Sequence, residues 1–225
     1  MDKLTTQGVI IGALPFREYD CILSLFTPYE GLIKLFSKGA YRKGKAASPV
    51  SPLTQIEVIY AKGRTELHPC HEITAINHNL PLRQNLAVLQ TACEMLHAIK
   101  VTQQPGKPAP ELYQLFLTYL HKLPAVASPV ALGASFRLKL LRHEGLIGML
   151  SHCAVCGTML DKAWIYEGEV FCHLHHPSHA TVVDTEEYDL ALVLLYSREF
   201  SLLTSLTISP ELAEKINGIF EERTQ

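Results

Sequence analysis

Long apolar stretches are missing from this chain of 225 residues. The longest uninterrupted run, residues 190–196, is far short of the roughly 18 apolar residues a membrane span needs. Residues 1–7 lack the basic-then-apolar pattern of a secretory leader, so a cytoplasmic location is expected. Six cysteines are too few for a disulfide scaffold in a chain this long, and they cluster. There is no Walker A loop, no G-x-G-x-x-G, no nucleophile elbow and no H-E-x-x-H or H-x-E pair, so nothing argues for an enzyme. Low-complexity segments and internal repeats are absent. With 48% hydrophobic residues the chain has enough apolar mass for a core, which excludes disorder.

Net charge is also nearly absent, at −2, but the near-neutrality conceals an asymmetry. Residues 161–225 carry twelve acidic side chains against four basic ones. Residues 34–64 hold Lys34, Lys38, Arg42, Lys43, Lys45, Lys62 and Arg64 against Glu57 alone. A basic patch on an otherwise acidic chain attracts a polyanion locally while the molecule stays soluble. The competing reading is a solvated lysine-rich loop.

Short β-branched and aromatic runs at 5–14, 20–27, 32–37, 53–61 and 64–74, punctuated by Gly, Pro and charged turns, predict five strands. Five strands in so short a length suggest a small OB-type barrel, with the basic segment in the connection after the third strand. From Pro81 the period changes. Leu82, Leu86, Leu89, Cys93, Leu96 and Ile99 or Lys100 recur at helical spacing, and further helices are expected at 111–122, from Ser128-Pro129 to about His143 or Leu146, from Asp184 to Tyr196, and over 211–222. The expected fold class is α+β in more than one domain. An N-terminal five-stranded OB-fold barrel (1–80) is followed by an α-helical domain (81–225), into which a metal module (151–180) is inserted.

That module is the strongest local signal. Cys153 and Cys156, then Cys172 and His175, form two knuckles of C-x₂-C and C-x₂-H separated by a hairpin turning at Glu167-Gly168. Two intervening residues let a tight turn aim both ligands at one ion, and soft thiolates with an imidazole favour zinc. His173, His176 and His179 crowd the same turn; His175 is preferred on spacing. Four protein ligands close the coordination shell, so one structural zinc ion is expected. The rival is a zinc-dependent hydrolase on the histidine-rich turn. Cys21, Cys70 and Cys93 read as small core residues.

The segments Gly8-Val9-Ile10, Glu18-Tyr19-Asp20, Leu25 to Gly31 and Ser37 to Lys43 resemble the bacterial recombination mediator family RecO, as do Arg64-Thr65-Glu66-Leu67 and the Cys153–His175 cluster. The resemblance spans essentially the whole chain. His175 stands where family members with the metal site tend to carry Cys, and because the family tolerates loss of the site, the metal serves stability more than activity. The resemblance implies binding of single- and double-stranded DNA, annealing of complementary strands, partnership with RecR, and help for RecA in displacing single-strand-binding protein (SSB), without nucleotide hydrolysis and in association with the nucleoid. Lys34, Lys38, Arg42, Lys43, Lys45 and Arg64 are the expected phosphate contacts, with Tyr29, Phe36 and Tyr41 the nearest aromatics. Arg137 and Arg142, beside Phe136, Leu140 and Leu141, are the expected contacts for the acidic tail of SSB. An interaction module whose barrel binds no DNA is the alternative.

Replacing Arg42 and Lys43 with Ala is expected to weaken all DNA sequences equally. The slope of log affinity against log salt should flatten by about 0.7 per lost contact on single strands, read by fluorescence anisotropy; an unchanged slope removes these two residues from the interface.

Overall fold

The computed structural model describes residues 3–41, 50–63, 65–148, 151–160 and 162–224. By internal contacts the chain divides into two compact units, Met1–His121 and Lys122–Gln225.

The first unit is built on five strands: β1 (Lys3–Phe16), β2 (Asp20–Thr27), β3 (Gly31–Ser37), β4 (Gln55–Ala61) and β5 (Leu67–Asn77). They close into a barrel in the order β1-β2-β3-β5-β4, the five-stranded OB-fold arrangement. Every neighbouring pair is antiparallel except β3–β5, which runs parallel from Lys34↔Leu67 to Ser37↔Cys70. β1 pairs on both sides, and Val9 faces Phe26 of β2 and Gln55 of β4. The register shifts between Ile10 and Gly12, and such a bulge bends a long strand around a barrel.

Alternation decides which side chains fill the interior. On β3, Ile33 and Leu35 are buried while Lys34 is exposed and Phe36 half-buried. Ile33 and Leu35 join Ile10, Leu23, Leu25, Ile56 and Val58 in one apolar cluster. Helix α1 (Leu86–Thr102) follows a 3₁₀ turn (Leu80–Arg83), and Asn85 caps it by accepting from the Ala87 and Val88 N–H groups. Helix α2 (Pro110–Lys122) sets Tyr113 and Phe116 against Phe26, with ring centroids 5.6 and 6.2 Å apart. These two helices group with the barrel, so its compact unit extends past residue 80.

Two expectations are corrected here. The buried face of α1 is Val88, Ala92, Met95 and Ile99 with Thr91 and Leu96, whereas Leu86 and Cys93 are exposed. The helix is apolar on more than one side, so spacing alone could not pick the face. The fifth strand begins at Leu67 and runs to Asn77, three residues beyond the expected end.

The second unit centres on α3 (Pro129–His143), capped by Ser128 through the Ala131 N–H. Around it lie α4 (Thr185–Tyr196), α5 (Phe200–Ser205) and α6 (Pro210–Thr224). A capping box joins Asp184 and Glu187 at the start of α4. Between α3 and α4 stands a three-stranded sheet, β6 (Ala163–Tyr166), β7 (Glu169–Phe171) and β8 (Thr181–Val183), in the order β7-β6-β8. The sequence pattern had suggested only the β6–β7 hairpin, and neither β8 nor α5 was expected. None of the described helices is long and apolar enough to cross a membrane.

Leu35 has no exposed surface, so Leu35→Ala should cost about 2–5 kcal/mol in urea unfolding. Lys34→Ala, one residue away on the outer face, should stay within about 0.5 kcal/mol. Equal costs would contradict the alternation.

Candidate metal centre and nucleic-acid interface

The hairpin between the knuckles turns through Glu167 (φ 50°) and Gly168 (φ 76°). Positive φ at both positions defines the tight turn that matches strand twist. Gly168 is needed on a second ground, since a Cβ there would sit 2.2 Å from the Leu146 carbonyl oxygen. The turn is anchored by the Gly148 N–H donating to the Gly168 carbonyl (2.9 Å) and by the Glu167 N–H donating to a Glu222 carboxylate oxygen (3.3 Å).

Four ligand atoms then converge. Those of Cys153, Cys156, Cys172 and His175 all lie within 4.8 Å of one another. The Cys156–Cys172 sulfurs are 3.9 Å apart, and Nδ1 of His175 is 3.8 Å from Cys153 Sγ and 3.2 Å from Cys172 Sγ. A tetrahedron at ordinary zinc distances has edges of about 3.8 Å (S···S) and about 3.6 Å (S···N), so the donor set fits one such ion. His176 instead stacks on Trp164, with centroids 4.9 Å apart and planes 9° off parallel, and His179 contacts Ser178. Among the histidines of this turn, His175 is the one brought to the cluster.

The knuckle backbone prepares the cluster for a cation. Burial opposes ionisation of Cys153, but N–H groups of Cys156, Cys172 and Val155 outweigh it and bring the thiol down to about 5. The Thr158 hydroxyl and N–H lower the Cys156 thiol. The resulting negative charge raises the imidazole of His175. An N–H nest that stabilises thiolate favours metal loading, and protons compete with the ion as pH falls.

On the barrel, Lys34 and Lys38 are exposed, Lys34 on the outer face of β3 and Lys38 in the turn after it. Arg42, Lys43, Lys45 and Arg64 lie outside the described residues. Phe36 shares the outer face with Lys34 and meets Phe16 of β1 edge-on at 5.9 Å. The register forms an outward row, Leu14↔Ile22↔Phe36↔Pro69. Arg17 lies 5.3 Å over the Phe16 ring. Tyr29 and Tyr41 are exposed; the Tyr41 hydroxyl is pushed up to about 12, first by its contact with Cys21 and then by burial. Charge and spacing did not single out Leu14, Phe16 and Arg17, because their shared face exists only once β1, β2 and β3 are in register.

In the second unit, Arg142 is exposed with its guanidinium 4.6 Å over the Tyr196 ring, and Arg137 is half-buried. Between them in sequence, burial and then Arg142 bring the Lys139 ammonium down to about 8. Phe136, Leu140 and Leu141 have no exposed surface. They belong to the core, which corrects the expected apolar floor beside the two arginines: α3 buries that face against its neighbours.

Chelation should unfold the second unit's metal module, lowering its thermal midpoint and changing the emission of Trp164, the only tryptophan, which stacks beside a ligand residue. Cys172→Ser should mimic chelation and His175→Cys should retain the ion by mass spectrometry. An unchanged midpoint after complete metal removal would contradict a structural role.

Comparison with known proteins bears on the whole chain. A family model described as recombination protein O N terminal matches residues 1–78, and one described as recombination protein O C terminal matches 83–222. The DNA repair protein RecO of Chlamydia pneumoniae is 27% identical over 222 residues, covering 97% of this chain and 88% of that protein. That of Chlamydia trachomatis serovar D is 28% identical, covering 97% and 91%. That of Alkaliphilus metalliredigens is 26% identical over 227 residues, with the same coverage. The barrel-then-helices order and the matches across both parts agree, and the chain belongs to the RecO family of DNA repair proteins.

Proposed function

We propose that this chain is a recombination mediator without enzymatic activity. It binds single- and double-stranded DNA irrespective of sequence, anneals complementary strands and, with RecR, helps load RecA onto single strands coated with SSB. The observation that carries the reading is the outer face of the barrel, where Lys34 alternates with Phe36 and the apolar row from Leu14 to Pro69 runs through Phe36. Ammonium groups hold phosphates without reading sequence. Aromatic and apolar side chains take the flat faces of unpaired bases, a contact open to every base. Bases held by a face keep their pairing edges free, which is what annealing requires.

The residues assigned to DNA are Lys34, Lys38, Arg42, Lys43, Lys45 and Arg64, within a DNA-binding domain of residues 1–80. Residues 81–225 are the helical part, whose first two helices group with the barrel, with the metal module at 151–180. Its ion is zinc, held by Cys153, Cys156, Cys172 and His175. Four protein ligands leave no position for an activated water, so its role is structural. The acidic tail of SSB is assigned to Arg137 and Arg142, with the Tyr196 ring as the apolar element beside Arg142. The working location is the cytoplasm, at the nucleoid.

The test is an anisotropy titration of labelled oligothymidine at several salt concentrations. Tight binding that weakens steeply with salt is expected. Phe36→Ala should cost about 1–3 kcal/mol on single strands and little on duplex. Absence of binding even at low salt would leave the barrel as a protein-interaction module.

A further inference from the structure

The loop between α1 and α2 builds a wall against the barrel. Gly31 opens β3 at φ 66°, and a Cβ there would lie 2.4 Å from the Gln104 carbonyl oxygen and 2.7 Å from that of Lys107. Main-chain bonds hold the loop. The Leu32 N–H donates to Gln104 (3.2 Å), the Gly106 N–H to Glu30 (2.9 Å) and the Ala109 N–H to Pro28 (3.0 Å). Facing it is the β4–β5 connection, where the Gly63 N–H donates to Nδ1 of His68 (3.2 Å). That bond leaves Nε2 as the ring's donor, and the ring lies nearly parallel to Tyr60 (5.6 Å, 20°).

Between these walls is a cavity of about 700 Å³, in the range of about 300–1,000 Å³ that encloses whole small ligands. Among the described residues its cations come from three distant parts of the chain: Lys34 from β3, Lys62 after β4, and Lys100 from α1. None of the three forms an ion pair with a described residue. Ile11, Leu32 and Pro105 supply apolar surface, and Glu30 and Glu66 supply acceptors. One of the Glu30 oxygens already accepts from the Thr6 hydroxyl (2.9 Å). A simple anion would use the ammonium groups and leave the apolar walls dry and empty. A duplex could use the cavity only by extruding a base, which costs a few kcal/mol.

We propose that this cavity receives one unstacked nucleotide of a bound single strand, with its phosphate on Lys34, Lys62 and Lys100 and its base against Leu32 and Pro105. The inference rests on the DNA-binding reading above and deepens it: the pocket is where the protein distinguishes unpaired from paired DNA.

The experiment compares the full chain with the Lys62→Ala/Lys100→Ala double variant, both substitutions being at exposed positions and checked by thermal melting. Each is titrated with oligothymidine, with an abasic oligonucleotide of equal length, and with a duplex. Deoxythymidine monophosphate and inorganic phosphate are used as competitors. The expected result is a tenfold or greater loss of oligothymidine affinity in the double variant, against threefold or less for duplex. Wild-type preference for oligothymidine over the abasic strand should shrink in the variant to the part that Phe36 and the outer row supply. The monophosphate should displace the probe at concentrations where inorganic phosphate does not. Wild-type binding of oligothymidine with the variant unchanged, or with the abasic strand bound equally well, would overturn the pocket and leave the DNA-binding reading standing. Equal competition by inorganic phosphate would reduce the site to an anion contact and overturn it as well. Failure of the wild type to bind any DNA at low salt would remove both.

Discussion

The parallel pairing of β3 with β5 is the constraint on which the first unit depends. The antiparallel ladders of the barrel leave two edges unless these strands meet, and open edges invite pairing with other chains. Once Lys34 to Ser37 pair with Leu67 to Cys70, inside and outside are defined for every residue of β3. A one-residue slip would exchange Ile33 and Leu35 for Lys34 and Phe36 in the core, so the apolar cluster enforces the register that exposes the cation and the ring. The same closure draws the β4–β5 connection alongside β3. Lys62 and His68 stand near Lys34 for that reason, although strand and loop separate them in the chain.

The metal module solves a different problem. Its knuckles are short, and Val155, Met159 and Leu174 remain 62%, 75% and 74% exposed, so apolar burial contributes little there. Small elements that cannot build a core rely on a metal cross-link. The small sheet has strands of only four, three and three residues, at the short end of the usual range. It is tied to the rest of the second unit through Gly148, Leu146 and the end of α6, where Arg223 Nε donates to the Leu146 carbonyl (3.0 Å). An ion bound by the four candidate ligands would therefore act on that unit's packing.

Legibility in the sequence followed the range of the interactions. The barrel strands were readable because β-branched runs alternate with Gly and Pro turns, and the caps at Ser128 and Asp184 because a cap acts within three residues. The buried face of α1 was not readable, since Leu86, Leu89, Val88 and Ala92 make more than one apolar stripe and the barrel chooses between them. The strand Thr181–Val183 and the six-residue helix Phe200–Ser205 were too short to carry a period. The candidate ligand set followed from knuckle spacing, which already favoured His175 over His173, His176 and His179; turn geometry and the stacking of His176 on Trp164 agree with it.

By itself the sequence determined the ligand chemistry, the basic stretch, the order of barrel and helices, and the alternation that pairs a cation with an aromatic ring on one strand. These are local properties, set by residue type and by spacings of two to four. Tertiary structure alone decided which cations share a space: Lys34, Lys62 and Lys100 line one cavity because barrel closure and a loop packed on Gly31 bring distant segments together. It also decided that Phe136, Leu140 and Leu141 are core, because burial depends on neighbours from other helices.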